Sequence, residues 1–221
     1  MIDRDEYIQE LEKTIGKFLT PLKGIPFPIA IKALTGFEVI PFDITQARDR
    51  KLLENMSKAA QIAGTRASVE GIFANRPNEA GNHVEPFVLG ALNEVGLRAG
   101  TPVTKSGRKK AAGYPDIQIE DEYGRTVYLE CKTFSSKVKG TTFRSFYFSP
   151  SKNPKITRNA FHLLMSFELD VAERKGKRAF IPISWQIYTL DKLLTQVKHE
   201  FNANNKDLYT DKALLAKGEI G

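Results

Sequence analysis

Residues 114–134 read YPDIQIEDEYGRTVYLECKTF, and the alternation on both sides of DEYG is the pattern of a β-hairpin. Side chains alternate faces along a strand. Ile117 and Ile119 therefore share one face, and Asp116 and Gln118 the other. In the second strand Val127, Leu129 and Cys131 face together, opposite Tyr128, Glu130 and Lys132. Cys131 reads as a small core hydrophobe. Asp116, Glu130 and Lys132 converge on one surface.

The flanking segments place this hairpin in a larger sheet. Upstream, Val84, Phe87, Val88, Ala91, Leu92 and Val95 make a helical stripe that ends at Gly96. Asn82 reads as its N-cap, Pro86 fits the first turn, and Glu85 falls at the position of a capping-box acid. Downstream, 141–151 reads as a strand, Thr157 to Arg174 as a helix and 178–189 as a strand. A further helix carries Leu190, Leu193, Leu194, Val197 and Phe201. At the N-terminal end, 3–20 and 45–63 read as helices. Residues 21–43, with four prolines and two glycines, suit short extended pieces and turns. The order implies an α/β fold, a central mixed β-sheet flanked by helices, preceded by a mainly helical region. The division is 1–80, a helical and extended region for dimerisation or DNA contact, and 81–221, the core with its C-terminal helix. The polar tail from Asn204 onward reads as partly ordered.

Charge points to the partner. Residues 101–160 hold twelve Lys and Arg against five acids, a net +7 that equals the excess of the whole 221-residue chain. An excess concentrated around one hairpin argues for a polyanion partner, and nucleic acid is the expected one. The residues to contact it are Lys105, Arg108, Lys109, Lys110, Lys137, Lys139, Arg144, Lys152, Lys155 and Arg158. Phe146 and Phe148 read as core, and Tyr114 as packing. Cys131 is the sole cysteine, which excludes an intrachain disulfide and suits a reducing cytosol. The start, MIDRDEYIQE, is no secretory signal, and no apolar run reaches the ~18 residues of a membrane span. The expected location is the cytoplasm, with no membrane partner.

Phosphodiester hydrolysis needs a divalent ion to polarise the phosphate and acidify a water. Magnesium is usually held by one or two carboxylates plus waters and substrate phosphate. A neighbouring lysine can handle the water's proton and offset developing charge. Asp116, Glu130 and Lys132 match that set. His83 and His162 have no second ligand at metal spacing and read as structural, and no Walker or dinucleotide fingerprint occurs.

Pro115-Asp116, thirteen intervening residues and Glu130-Cys131-Lys132 resemble the motif of the PD-(D/E)XK nuclease superfamily. Glu85 occupies the place of that family's acid on the preceding helix. The resemblance spans about 82–190 and looks most like a type II restriction endonuclease. It implies a restriction-endonuclease-like core and Mg2+ dependence, with Mn2+ able to substitute. Asp116, Glu130 and the Cys131 backbone carbonyl would hold the metal, with Lys132 and Glu85 as further catalytic groups. Sequence-specific cleavage of double-stranded DNA to 5'-phosphates follows, by a homodimer matched to a palindrome, in a prokaryotic cell with a cognate DNA methyltransferase. Two other acid-x-Lys triplets, Asp49-Arg50-Lys51 and Glu173-Arg174-Lys175, fall in expected helices without an upstream Pro-Asp. The alternatives are a structure-specific repair or junction-resolving nuclease of the same fold, and a non-catalytic DNA-binding module. An intact acid–acid–lysine set counts against the module, since carboxylates facing phosphate oppose binding.

Overall fold

The alternating segment forms the hairpin at the centre of a five-stranded sheet. The computed structural model describes residues 4–19, 22–74, 77–135, 146–198 and 206. The sheet's strands are β1 (Arg98–Gly100), β2 (Ile117–Glu120), β3 (Thr126–Phe134), β4 (Phe161–Arg174) and β5 (Lys177–Thr189), in that spatial order. β3 and β4 run parallel while every other neighbouring pair is antiparallel, so the sheet is mixed. The helices are α1 (Arg4–Leu19), α2 (Phe27–Thr35), α3 (Ala47–Glu70) and α4 (Pro77–Glu94). The fold is the α/β class that the order of elements implies.

Two compact units divide the chain, Met1–Ile25 with Thr195–Gly221, and Pro26–Leu194. In the first, α1 buries none of its own residues among those described. The Val197 N–H donates to the Leu22 carbonyl at 2.9 Å there. The second contains the sheet with α2, α3 and α4.

Each face of the sheet has its own core. On one, Ile117, Ile119, Val127, Leu129, Cys131, Leu163, Met165 and Phe167 pack against Leu52, Met56 and the alanines of α3 and against Val84, Val88 and Leu92 of α4. Gly64 lets α3 approach closely, because a Cβ there would lie 3.3 Å from the Phe167 ring. On the other face, Tyr128 packs with Phe27 and Ile31 of α2, Ile156 and Leu190, bordered by Phe146 and Phe148. Those two phenylalanines are core residues, but 146–150 is irregular rather than a strand.

Four readings of local structure change. Phe161–Arg174 is a strand, not a helix: its first nine residues are mostly buried on both faces, which gives a continuous apolar run without a diagnostic period. The triplet 173–175 accordingly ends a strand. Residues 27–35 form a helix, because Pro28 falls in its first turn and Gly36, at φ 81°, closes it by donating to the Lys32 carbonyl. No helix occupies 190–198, where a turn and the short pair Leu194–Thr195 stand. Finally, α4 starts at Pro77, so Pro86 lies inside the helix and Asn82 is not its cap. The 141–145 part of the expected strand and the tail from 207 onward lie outside the described residues. No described helix is long and apolar enough to cross a membrane.

Candidate active site

Antiparallel pairing of Ile117 with Leu129 carries Asp116 and Glu130 to the next step of the β2–β3 ladder. There the regular pairing ends, and a side chain takes over. The Asp116 N–H donates to the Leu129 carbonyl at 3.1 Å, while Asp116 Oδ2 accepts the Cys131 N–H at 2.8 Å. The carboxylate of Asp116 is thus locked to the backbone between Glu130 and Lys132. In an extended strand a residue's N–H and C=O leave from the same edge. The Cys131 carbonyl therefore also looks toward Asp116.

Glu130 is buried, at 3% exposure. Its Oε1 takes a 2.6 Å ion pair from Lys132 Nζ. Its Oε2 is buried and has no hydrogen-bond partner among the described residues. Burial pushes the Glu130 carboxyl up to about 7; Asp116 adds to the rise, and Lys132 opposes it. An isolated buried carboxylate oxygen is expensive unless something positive meets it. Lys132 is half-buried and meets only the other oxygen.

Glu85 joins them from α4. Because that helix begins at Pro77, Glu85 lies in its third turn and cannot be a capping-box acid. It is half-buried, and its carboxyl is raised by burial and then by Asp116, with Lys132 and Lys155 acting the other way. These charges sense one another across α4, β2 and β3. Among the described residues no three His, Cys, Asp or Glu side chains converge as a finished metal cage. Two strand carboxylates, one with a buried oxygen unpartnered among the described residues, are nevertheless hard donors of the kind a divalent cation takes.

The basic residues separate into three groups. Lys105, Arg108, Lys109 and Lys110 are exposed on the loop before the hairpin. Lys152 and Arg158 are exposed too, and with Lys105 and Gln118 they line a cleft of about 770 Å³. Lys137, Lys139 and Arg144 lie outside the described residues. Lys155 departs from the expectation of a phosphate contact: it is 4% exposed, and its ammonium bonds backbone carbonyls.

Other residues around the site were not legible as such. Tyr114 Oη lies 2.6 Å from His162 Nδ1, with the two rings stacked at 5.9 Å. Burial lowers the His162 imidazole to about 3, so it stays neutral. The two residues pack against each other, Tyr114 in the packing role expected of it and His162 in a structural one. Ser166 stands beside Lys132 in the parallel β3–β4 register, buried with its hydroxyl unpartnered among the described residues. Reading 161–174 as a helix hid Ser166, whose place beside Lys132 comes from the sheet register. The acidic turn contributes nothing to this site. Asp121 is buried and binds Arg125 Nε at 2.8 Å, and the same guanidinium also binds Asp49.

Comparison with known proteins adds an independent line. Residues 21–212 match the model of the type II restriction enzyme MjaV family. The chain is 34% identical to "Type II restriction enzyme MjaV" of Methanocaldococcus jannaschii over 234 aligned residues, covering 99% of this chain and all of that protein. Among solved structures it resembles that of the restriction endonuclease SfiI, described as tetrameric and bound to cognate DNA. That match has a TM-score of 0.41 and 13% identity, covering 68% of this chain and 66% of the other.

Proposed function

This chain belongs to the type II restriction enzyme MjaV family, and we propose that Asp116, Glu130 and Lys132 carry out its phosphodiester chemistry with a magnesium ion. As a member of that family it is a type II site-specific deoxyribonuclease, a sequence-specific DNA endonuclease. The observation that carries the site assignment is the buried Oε2 of Glu130, unpartnered among the described residues, beside Asp116 and Lys132.

Asp116 and Glu130 would hold the ion with the Cys131 carbonyl, and manganese, also a hard ion, fits the same oxygens. Bound there, it supplies charge to the scissile phosphate and a more acidic water. The chain does the rest. Lys132 Nζ, held by Glu130 at 2.6 Å, is placed to orient the attacking water by donating a hydrogen bond to its oxygen, and the water's proton passes to solvent. The lysine's positive charge then offsets the charge that grows on the phosphate oxygens. Glu85, half-buried on α4, would act as a further acid beside a bound ion. Attack of that water on phosphorus expels the 3'-oxygen, leaving a 5'-phosphate and a 3'-hydroxyl.

Lys105, Arg108, Lys109, Lys110, Lys152 and Arg158 neutralise DNA phosphates, and hydroxyl and amide side chains of the same surface read base edges. The chain acts as a homodimer, because two identical sites related by a two-fold axis cut both strands of a palindrome. A partner methyltransferase protects the host's own copies of the site. Plasmid digestion with Mg2+ and with EDTA tests the reading. Discrete fragments with 5'-phosphate ends are expected with Mg2+ only; junction-restricted cutting, or cutting in EDTA, contradicts it.

A further inference from the structure

Lys155 needs a reason to be buried behind the catalytic corner. Its Nζ donates to the carbonyls of Ala111 at 2.8 Å, Gly113, and Pro115 at 2.6 Å. An ammonium has three protons, and this arrangement uses all three. Burying a charge among neutral carbonyls is unfavourable compared with packing an apolar side chain there. Leucine or methionine would avoid that cost only by leaving the three carbonyls without a donor. What the lysine gains is control over one short run of chain, since its three acceptors lie within residues 111–115, immediately before Asp116. The Pro115 carbonyl belongs to the peptide unit that carries the Asp116 N–H, so fixing one fixes the other.

The same segment grips a second loop two residues earlier. Asn153 Oδ1 accepts the Ser106 N–H at 2.9 Å. Its Nδ2 donates to Thr104 Oγ1 at 3.1 Å and to Ser106 Oγ at 2.8 Å. The Pro154 carbonyl accepts the Lys105 N–H at 3.0 Å. These groups hold the base of the loop whose outer side exposes Lys105, Arg108, Lys109 and Lys110. Residues 153–155 therefore bond to the basic loop at one end and to the approach to Asp116 at the other.

We propose that Asn153–Pro154–Lys155 is a strap that couples seating of the basic loop on DNA to placement of Asp116, with Lys155 as the positioning residue. The proposal rests on the assignment of Asp116 as a metal ligand. Phosphates drawing on Lys105 to Lys110 load the strap through Asn153 and Pro154. Lys155 passes that constraint to Pro115, and Asp116 is held against the Cys131 N–H. Misplacement of a reacting group by about 1 Å can slow a reaction about 100-fold. The strap thus acts on the rate of cleavage, not on affinity.

The test is single-turnover cleavage of a DNA fragment carrying one wild-type cut site, with enzyme and Mg2+ saturating. Affinity for the same fragment is measured with Ca2+ in place of Mg2+. Lys155→Met should cut about 10- to 100-fold more slowly with affinity changed less than about twofold. Lys155→Arg, which keeps the charge and donors, should recover part of that rate. Asn153→Ala, on a half-buried side chain, should fold normally and also cut about tenfold more slowly at saturating enzyme, whatever affinity the loosened loop loses. A merely structural lysine would lower the amplitude of the reaction, the fraction of competent enzyme, and leave its rate constant alone. A native rate constant in Lys155→Met, or in Asn153→Ala should the first not fold, overturns the strap. Asp116→Ala separates the two failures: native cleavage there sinks the site assignment, while its inactivity beside a native Lys155→Met sinks the strap alone.

Discussion

Replacing Glu130 by Gln should stabilise the metal-free protein while removing its activity. In the folded chain burial and Asp116 raise this carboxyl from 4.5 to about 7. At about 1.36 kcal/mol per pH unit, that rise corresponds to on the order of 3 kcal/mol. The folded state binds the proton more tightly than the unfolded chain does. The wild type therefore keeps its full stability below pH ~4.5 and loses it as the pH rises through ~7, with no further change from this group above that. Glutamine does not titrate. The stability difference between Glu130→Gln and wild type should grow by up to about 3 kcal/mol between pH 4.5 and 8. For a chain of this size that is about 6–12 °C in Tm. Loss of the Glu130–Lys132 pair subtracts little, because the Lys132 side chain is 32% exposed and can rehydrate. Urea melts in EDTA at several pH values measure the difference. A difference independent of pH, or one that shrinks as pH rises, would refute the reasoning.

Three further outcomes are expected. Glu85→Gln should lower the cleavage rate with little change in Tm, since the residue is not a cap; a native rate in single-turnover assays would remove it from the site. Lys109→Ala with Lys110→Ala should weaken binding to all DNA sequences alike and make the salt slope shallower by about one to two. An unchanged slope in a binding titration from low to high salt would put the DNA on another face. Arg125→Met leaves the buried Asp49 and Asp121 carboxylates without their shared cation. It should destabilise the fold by about 3–5 kcal/mol, and a denaturation midpoint near the wild type would contradict that role.

What could be read from sequence was what local period records. The hairpin was legible because β2 alternates, DEYG marks the turn, and β3 sets Val127, Leu129 and Cys131 against Glu130 and Lys132 although its first six residues are all buried; parity then placed Asp116, Glu130 and Lys132 on one face. β4 was not, because a strand buried on both faces loses its alternation, and its Leu, Met and Glu content suits a helix equally well. α4 was located but entered late: Asn82 looked like a cap, whereas Pro77 at the first helical position was the better boundary signal. Lys155 was read as a DNA contact because it stands in a stretch rich in Lys and Arg. Its three carbonyl partners lie 40 to 44 residues earlier, and no local pattern encodes a contact at that range.

The site assignment is tested most directly by comparing cleavage and binding in Asp116→Ala, Glu130→Ala and Lys132→Ala. Each is assayed under single-turnover conditions with Mg2+, and for DNA affinity with Ca2+. Asp116 and Glu130 are assigned to hold the ion and Lys132 to manage the water. All three variants should therefore cut several orders of magnitude more slowly than wild type while still binding cognate DNA. Cleavage at the wild-type rate in any one of them, at equal Mg2+, would contradict its assignment to the site.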